Sequence, residues 1–593
     1  MPFDGLVMCT IQKELTDKII FGKIVKIYQP ERHTVLFKIR KGADSHQLLI
    51  SAHPLAGRIH LTTDTKENPM TPPMFCMVLR KHLEGGRIIA IEQQGLDRVL
   101  HLSVEAYDEI GQLSKKTLVV EIMGKHSNIL LIDPENNTVL DGIKRYTHLV
   151  SRHREVLPGR TYIAPPEQQK LDPFTINEET FAQTLLALPL NTKVKKGLVQ
   201  ILAGFSPLLA QEIIYRAQLP ESTIIDELGE YELIRLWQAQ NEITAPFSNQ
   251  QFQPNVALDG DKPIDFSFIS LLQFGQYRLL EFPQMSEALD FFFRRQEQSE
   301  LFSARQRELI KVVGNETERV EKKLALQREK LLETEEMDYY RLLGDLITAN
   351  MYQLSKGMDE AVLDNLYEPG KTLRVTLNPT FSPAENAQFY YKKYNKAKSS
   401  KILIEKQMQK NQEELDYLFS VLTSLEQSQN TNDLEEIRNE LVEASYLKEK
   451  HTRKKPKNKS TPAPPHTFYT QDNYTILVGK NNKQNDLLTL KMARKDDLWL
   501  HTKSIPGSHV IIRRKPGEEI PFAVIEEAAR LAAYHSKARN SAQVPVDYTL
   551  VSQVKKPSGA KPGMVIYFEQ KTLFVTPEQS DSLKQEQEQD EQN

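Results

Sequence analysis

Two long segments nearly free of proline and glycine constrain the fold of this chain more than any other feature. The first runs from about residue 285 to 356, interrupted by Gly314 and Gly344, and the second from about 384 to 428. Apolar residues in both recur with the alternating three- and four-residue spacing of a coiled coil. These seam positions are Val313, Val320, Leu324 and Leu331 in the first segment and Ile404, Met408, Leu415, Leu418, Leu422 and Leu425 in the second, with Asn411 at an intervening core position.

The segment that joins the two helices, 368–383, contains several prolines and a glycine, so the helices can fold back on each other as an antiparallel hairpin. At about 1.5 Å rise per residue, a helix of about 70 residues spans on the order of 100 Å. That length exceeds what the core of one domain requires. We therefore predict a projecting arm. The same periodicity is also compatible with a coiled coil that dimerises.

Length and composition exclude several classes of protein. A chain of 593 residues is long enough for roughly three or four domains. Its net charge of −3 argues against a uniformly basic nucleic-acid coat but allows local basic surfaces. Two cysteines, Cys9 and Cys76, exclude a disulfide framework and a cysteine-rich zinc module. No apolar run reaches the ~18 residues of a membrane span, and the N-terminus lacks the pattern of a secretory signal, so we expect a cytoplasmic protein without membrane contact.

The pattern of helix, strand and turn signals predicts a multidomain α+β fold. Short β-branched runs separated by turns fill the first part and the last domain, whereas the middle has helical spacing. The predicted parts are an α/β N-terminal domain (1–175), a helix–hairpin–helix region (176–284), a long antiparallel coiled-coil arm with a small intervening segment (285–447), a basic linker (448–465), a small α/β C-terminal domain (466–576) and a disordered acidic tail (577–593).

The run from Ile201 to Leu209 predicts two helices joined by a short glycine turn, with Ser206 as N-cap and Pro207 in the first helical position. A helix–hairpin–helix uses such a turn to offer backbone N–H groups to a phosphate. An ordinary helical hairpin fits the same spacing.

The common local signatures of catalysis are missing from the sequence. It has no phosphate-binding GxxxxGK[ST] loop, no HExxH zinc pair and no GxSxG nucleophile elbow. His501 and His509 lie close together in the sequence, but metal binding would need further ligands. We therefore expect a protein that is not an enzyme and that has no metal site or cofactor.

Basic residues recur in short, glycine-containing turns. Glycine beside lysine or arginine lets two backbones approach while the cation meets a phosphate. Each cluster alone is typical of a solvated surface, but their repetition favours RNA contact. The residues predicted to contact RNA are Arg80, Lys81, Lys125, Arg152 and Arg154 in the N-terminal domain and Lys555, Lys556 and Lys561 in the last domain.

Several longer blocks of sequence form recognisable motifs. At the N-terminus these are Phe3-Asp4-Gly5, FCMVLRKHLEGGRI from Phe75, Gly95-Leu96-Asp97-Arg98 and EIMGKHSNILLID from Glu121. Further along they are LAGFSPLLAQEI from Leu202 and VGKNNKQNDLLTLKMARKDDLWLHTKSIPGSHVIIR from Val478. In these blocks and their order along the chain, the sequence resembles the NFACT family of ribosome quality-control factors. The resemblance implies a glycosylase-like N-terminal domain and an RNA-binding last domain.

The resemblance also implies a function. Members bind the large ribosomal subunit after a stalled ribosome splits and leaves peptidyl-tRNA behind, and they recruit aminoacyl-tRNA without a template. In bacterial members the recruited tRNA is tRNA-Ala, and the resulting alanine tail marks the nascent chain for degradation. The arm is implied to reach the ribosomal stalk base, and a small heat-shock-type RNA-binding protein is an implied partner. Because the sequence ends soon after the last block, without the extra domain of eukaryotic members, we expect the bacterial class.

Residue by residue, the resemblance implies that Asp97 and Arg98 engage tRNA and that Glu121, Ile122 and Met123 contact the anticodon arm. Arg98 could bind a phosphate or a guanine edge in a fork, with Asp97 holding it in place. From the residues alone, Asp97 and Arg98 could equally form an internal salt bridge, and Ile122 and Met123 could end a core strand.

Two other functions compete with this interpretation. Bacterial members of the family were long labelled fibronectin-binding proteins, so an adhesin is the alternative, although it would need unconventional export. The resemblance of the first domain to DNA glycosylases suggests an amine nucleophile at Pro2. Phe3 stands where the catalytic glutamate would follow, which argues against that chemistry.

Overall fold

The computed structural model describes residues 3–107, 110–147, 154–368, 370–448, 464–578 and 584–585. They fall into two compact units, Met1–Glu300 and Leu301–Asn593. Within these ranges, no helix combines the length and the apolar character needed to cross a membrane.

A nine-stranded sheet forms the core of the N-terminal domain, with the strand order β4-β3-β2-β1-β5-β6-β7-β8-β9 and antiparallel pairing throughout. The prediction of a mixed helix-and-strand domain is confirmed. Its elements are α1 (Gly5–Ile19), β1 (Lys23–Glu31), β2 (Thr34–Lys41), β3 (Asp44–Ser51), β4 (Arg58–Leu61), α2 (Met74–Leu83), β5 (Arg87–Gln93), β6 (Val99–Tyr107), β7 (Leu113–Glu121), β8 (Asn128–Asp133) and β9 (Thr138–Gly142).

Helix α1 lies against this sheet because its apolar residues recur every four positions. Ile11, Leu15 and Ile19 are fully buried in the core that α1 and the sheet share. Val156 and Tyr162, from the segment after β9, belong to a smaller apolar cluster with Val99, Val119 and Leu130 of the neighbouring strands. This segment carries the buried groups that fix the end of β7.

The region 176–284 contains the predicted helices and, in addition, a three-stranded sheet that was not predicted. The elements are α3 (Glu178–Leu186), α4 (Val194–Ile201), α5 (Pro207–Arg216), α6 (Glu230–Asn249), β10 (Asn255–Asp259), β11 (Lys262–Ser267) and β12 (Arg278–Glu281). The N-cap of α5 is Ser206, as predicted, and its hydroxyl accepts from the Leu209 N–H at 3.4 Å. The missed hairpin turns at Asp259-Gly260, where Gly260 has a φ of +58°. An Asp-Gly pair between apolar residues is a recognised hairpin signal.

The arm is a hairpin of two long helices within one chain. Its elements are α7 (Met285–Glu333), α8 (Met337–Ala349), β13 (Glu360–Asp364), β14 (Thr372–Thr376), α9 (Pro383–Gln427) and α10 (Thr431–Glu443). Val313, Val320 and Leu324 of α7 share a buried cluster with Leu415, Leu418 and Leu425 of α9, which confirms these seam positions. Asn411 donates to Gln327 Oε1 at 2.7 Å and accepts from Lys323 Nζ at 3.0 Å, so this polar core position fixes the register of the pair.

The predicted extent of the first long helix, to about residue 356, is wrong. Helix α7 ends at Glu333, and a turn leads into α8. The segment beyond the turn builds a small core of its own, in which Leu346 and Ile347 of α8 pack with Leu363 and Val375 of the β13–β14 hairpin. This separate core interrupts the long helix although Glu335 and Glu336 of the turn are themselves good helix formers.

The C-terminal domain is a seven-stranded antiparallel sheet in the order β22-β19-β17-β18-β16-β15-β23, covered by α12. Its elements are β15 (His466–Tyr469), β16 (Thr475–Val478), α11 (Asn482–Leu487), β17 (Leu498–Thr502), β18 (Val510–Ile512), α12 (Phe522–Tyr534), β19 (Val544–Leu550), β20 (Val554–Lys555), β21 (Ile566–Tyr567), β22 (Lys571–Val575) and β23 (Lys584–Gln585). Most of the predicted linker and tail lies outside the described residues. The prediction of a disordered tail is wrong at residues 584–585, which pair with β15.

Candidate nucleic-acid interface

The turn between β5 and β6 carries Asp97 and Arg98 at one end of the large sheet. The Asp97 N–H donates to the Gln94 carbonyl at 3.0 Å and closes the turn. The Gln93 side-chain amide donates to the carbonyls of both Asp97 and Gly5, each at 2.9 Å. These bonds fix the turn against the first residues of α1.

The glycine turn at Gly204, directly before α5, also packs against the first residues of α1. The Gly5 N–H donates to the Gly204 carbonyl at 3.0 Å, and Gly204 has a φ of +78° that suits glycine. A Cβ at Gly5 would overlap the Leu96 carbonyl oxygen, so close approach of three chain segments requires glycine there. The structure therefore uses the Gly204 carbonyl for internal packing.

Asp4, which sequence reasoning missed, is the buried carboxylate of this junction. It is the N-cap of α1, accepts from the Val7 N–H at 2.9 Å and is 4% exposed. Burial raises the pKa of Asp4 to about 6, while hydrogen bonds from Ser206 and Val7 and the charge of Arg98 lower it. An Asp-Gly pair directly before an apolar helix is an N-cap signal that could have identified it.

Arg98 faces two carboxylates but pairs with neither. Burial lowers the pKa of the Arg98 guanidinium, and the charges of Asp4 and Asp97 oppose that shift. Burial likewise raises the pKa of Asp97, which Lys170 and Arg98 lower. Across the described ranges, the Arg98 side chain makes no hydrogen bond or ion pair, so the internal salt bridge considered above does not form. A half-buried guanidinium keeps its donors available for a ligand.

The segment 121–123 lies directly beside this turn, because the Ile122 N–H donates to the Arg98 carbonyl at 2.9 Å. Ile122 is fully buried, and Met123 is half-buried with its N–H donating to Ser127 Oγ at 2.9 Å. The next residues form a single helical turn, Gly124–His126, on which Lys125 is exposed. The structure therefore brings Arg98, Met123 and Lys125 to one corner of the domain.

Glu121 and Arg154 point inward and bind each other. The Glu121 carboxylate is 0% exposed, and the Arg154 guanidinium donates to both of its oxygens, to Oε1 at 2.7 Å. Arg154 also donates to the Ile163 carbonyl at 2.7 Å, and the Tyr162 hydroxyl donates to Glu121 at 3.1 Å. In this arrangement neither side chain is accessible to RNA, and the pair instead fixes the end of β7. Their contact with tRNA stays a prediction.

The remaining predicted cations are placed elsewhere. Arg80 donates from Nε to the Ile27 carbonyl at 2.8 Å and thereby ties α2 to β1, while Lys81 is exposed in the last turn of α2. Arg152 lies outside the described residues. In the C-terminal domain, Lys555 is exposed, whereas Lys556 binds Asp486 and Lys561 binds Tyr446.

Replacing Asp4 by asparagine should change the pH dependence of stability. Since burial raises the pKa of Asp4 from 3.8 to about 6, the folded chain holds a proton between these values that the unfolded chain has lost. Stability therefore falls as the pH rises through this window, by about 3 kcal/mol once Asp4 is ionised. We expect the Asp4→Asn chain to match the parent near pH 4 and to be more stable by up to about 3 kcal/mol at pH 7.

Urea unfolding at both pH values, followed by hydrogen exchange of the α1 amides, measures this difference. Asp17→Asn removes an exposed carboxylate from the same helix and serves as the control. A stability difference that is the same at pH 4 and pH 7 would contradict the assignment of a neutral Asp4.

Among the described residues, no group of three or more histidine, cysteine, aspartate or glutamate side chains is placed to hold a metal ion. His509 is instead a buried structural residue, with Nδ1 2.7 Å from the Thr489 hydroxyl. Burial lowers the pKa of His509 to about 3.

Comparison with known proteins matches both ends of this chain to one family. Residues 4–460 match the model of the NFACT N-terminal and middle domains, and residues 465–567 match that of the NFACT protein RNA binding domain. The chain is 40% identical to the Rqc2 homolog RqcH of Bacillus subtilis, over 98% of this chain and 99% of that protein. It is 23% identical to the human ribosome quality control complex subunit NEMF, over 59% of this chain and 33% of that protein.

A solved structure, the N-terminal part of the fibronectin/fibrinogen-binding protein from Streptococcus suis, is 33% identical and covers 49% of this chain and 99% of its own, with a TM-score of 0.41. That score is too low to support an argument about fold or function. The glycosylase-like character of the first domain stays a prediction.

Proposed function

The chain belongs to the NFACT family, and on that premise we propose that it is a ribosome quality-control factor. In this proposal it binds large ribosomal subunits that carry peptidyl-tRNA. It recruits tRNA-Ala so that the nascent chain gains a C-terminal alanine tail and is degraded. The ribosome catalyses peptidyl transfer, and the protein binds and positions the tRNA.

The observation that carries the tRNA-binding part of this proposal is the unpaired guanidinium of Arg98. The guanidinium is half-buried and has no hydrogen-bond acceptor among the described residues, so its N–H groups are available to a ligand. A phosphate or the O6/N7 edge of guanine would accept two of its N–H groups at once. Asp4 and Asp97 attract the guanidinium from the protein side and limit its movement. Lys125, exposed at the same corner, would add a phosphate contact.

The other parts of the protein would hold the ribosome. The C-terminal domain matches an RNA-binding domain model, so we assign it to ribosomal RNA. We assign the arm to the stalk base, as the resemblance implies, since a long helical hairpin offers an extended surface for contact. A small heat-shock-type RNA-binding protein would stabilise the peptidyl-site tRNA. No residue in the described part of the chain favours fibronectin binding, which we do not propose.

Isolation of the tagged full-length protein from its native cells, with sequencing of the RNA that copurifies, tests the proposal. We expect large-subunit ribosomal RNA without small-subunit RNA, together with one dominant tRNA that identifies the amino acid of the tail. A mock purification from untagged cells gives the background. Protein free of RNA at low salt, from cells that contain stalled ribosomes, would contradict the proposal.

A further inference from the structure

The C-terminal domain contacts the arm mainly through polar side chains, beside Met564, which packs against the apolar cluster of the arm. Asn482, at the start of α11, donates to Ser420 Oγ at 2.9 Å and to Glu440 Oε1 at 3.1 Å. The Tyr417 hydroxyl donates to the same Glu440 oxygen at 2.8 Å. Asn482, Glu440 and Tyr417 are each at most 3% exposed, so the centre of the contact is closed to water.

A second set of contacts surrounds this centre. Asn481 donates to Glu436 Oε2 at 2.7 Å, and Lys483 forms an ion pair with Glu443 at 2.7 Å. In this second set, both acceptors belong to helix α10 of the arm, and both donors belong to the segment 481–483. Because water can replace each of these partners when the surfaces separate, the net free energy of such a contact is small compared with that of an apolar interface of equal size.

Lys561 is held at the same junction by aromatic rings. Its ammonium lies 4.5 Å from the centre of the Tyr417 ring and 5.0 Å from that of Tyr446, and it donates to the Tyr446 hydroxyl at 2.6 Å. Tyr446 in turn donates to Glu414 at 2.9 Å. Lys561 forms no ion pair with a carboxylate anywhere in the described chain, and burial lowers the pKa of its ammonium. Such a lysine is held by cation–π attraction and one neutral acceptor.

Asp486 of α11 also contacts the loop 555–563 of the C-terminal domain. Its carboxylate binds Lys556, and its second oxygen accepts from the Gly563 N–H at 3.1 Å. Gly563 also packs against Asn482, since a Cβ at Gly563 would lie 2.6 Å from the Asn482 side-chain oxygen. The loop 555–563 is therefore joined to the residue at the centre of the arm contact, and two of its three lysines are occupied within the protein.

We propose that the arm masks an RNA-binding surface: when the C-terminal domain leaves the arm, Lys561 loses its contacts with Tyr446 and Tyr417, and the loop 555–563 binds RNA phosphate through Lys561. The charge pattern favours RNA over a protein partner, because the loop combines three lysines with two glycines and the domain matches an RNA-binding model. A phosphate gives the Lys561 ammonium a charged acceptor in place of a phenol. Docking on the arm and binding of RNA at this loop thus compete.

Asn482→Asp provides the test, because it places a second carboxylate beside Glu440 and repels the domain from the arm without altering any lysine. The probe is a fluorescent single-stranded RNA of 20 nucleotides, titrated against the full chain at several salt concentrations. We expect about fivefold to tenfold tighter binding at low salt, and a slope of log Kd against log salt concentration that is steeper by about 0.7, since one released phosphate contact contributes about 0.7. The added negative charge alone would weaken binding.

Three matched variants separate this effect from others. Glu440→Gln added to Asn482→Asp restores a hydrogen bond across the contact and should return the parent affinity. Asn540→Asp makes the same change at an exposed position of the C-terminal domain and should not tighten binding. Lys561→Met, added to Asn482→Asp, should abolish the gain.

Hydrogen exchange of residues 480–487 reports whether the domain has left the arm. Tyr446→Leu, on the arm side, should release the domain independently and tighten RNA binding in the same direction. Faster exchange in either variant with unchanged RNA affinity would overturn the proposal. Because the probe is a generic RNA, the proposal can fail while the role in ribosome quality control stands, and the reverse also holds.

Discussion

A chain that carries Asp97→Ala and Arg98→Ala is expected to lose tRNA binding and tail synthesis while still sedimenting with the large ribosomal subunit. The loss follows from the unpaired Arg98 guanidinium, which supplies two charge-assisted hydrogen bonds in our proposal. At roughly 1.5 kcal/mol each, their removal weakens tRNA binding about 100-fold. Binding to the subunit should persist because we assign it to the arm and the C-terminal domain, whose contacts the two substitutions leave unchanged.

Filter binding with purified tRNA-Ala and sedimentation with isolated large subunits measure the two activities separately. Arg98→Lys keeps the positive charge but loses the paired N–H groups of the guanidinium. Its affinity for tRNA should therefore lie between that of the parent and that of the double variant. Arg87→Ala removes an exposed arginine at the start of β5 and serves as the control. If the double variant no longer sediments with the subunit, the assignment of subunit binding to the arm and the C-terminal domain is wrong.

Replacing Arg154 by methionine is expected to destabilise the N-terminal domain by about 3–5 kcal/mol, because it leaves the Glu121 carboxylate buried without its counter-charge. Glu121 is 0% exposed, and after the substitution Tyr162 would be its remaining side-chain donor among the described residues. The end of β7 should loosen as well, since Arg154 joins it to the segment at Ile163.

The Glu121→Gln, Arg154→Met double variant separates charge from packing. It removes the buried charge together with its partner, so the loss of stability should be much smaller than that caused by Arg154→Met alone. Urea unfolding of the full chain, followed by hydrogen exchange of the β7 and β8 amides, gives both values. Equal destabilisation of the single and double variants would show that lost packing, rather than the buried charge, accounts for the effect.

The seam of the arm was predictable from the sequence because its periodicity reports directly which residues face the partner helix. Val313, Val320 and Leu324 are buried as expected. The end of α7 at Glu333 was not predictable in the same way, because it depends on a small core built with the distant β13–β14 hairpin. Local preference carries no information about such tertiary packing.

The candidate site was predictable in part, through the resemblance that singled out Asp97 and Arg98. Residue type alone could not distinguish Arg98, whose donors are open, from Arg154, whose two terminal nitrogens both donate to Glu121. That difference depends on which strands are neighbours in the sheet. Asp4 was missed because its role arises from burial beside a turn about 90 positions away in the chain.

The order of strands in the large sheet has a consequence for the way the domain forms during its synthesis. Every neighbouring pair of strands is also consecutive in the chain, except β1 with β5. Strands β1 to β4 can therefore pair before β5 has been synthesised. Strands β5 to β9 can then pair in the same way, each with a neighbour that is close in the chain. Short-range pairing closes small loops and is fast. We expect the joint between β1 and β5, which includes a single registered pair, Lys23 with Arg87, to form last.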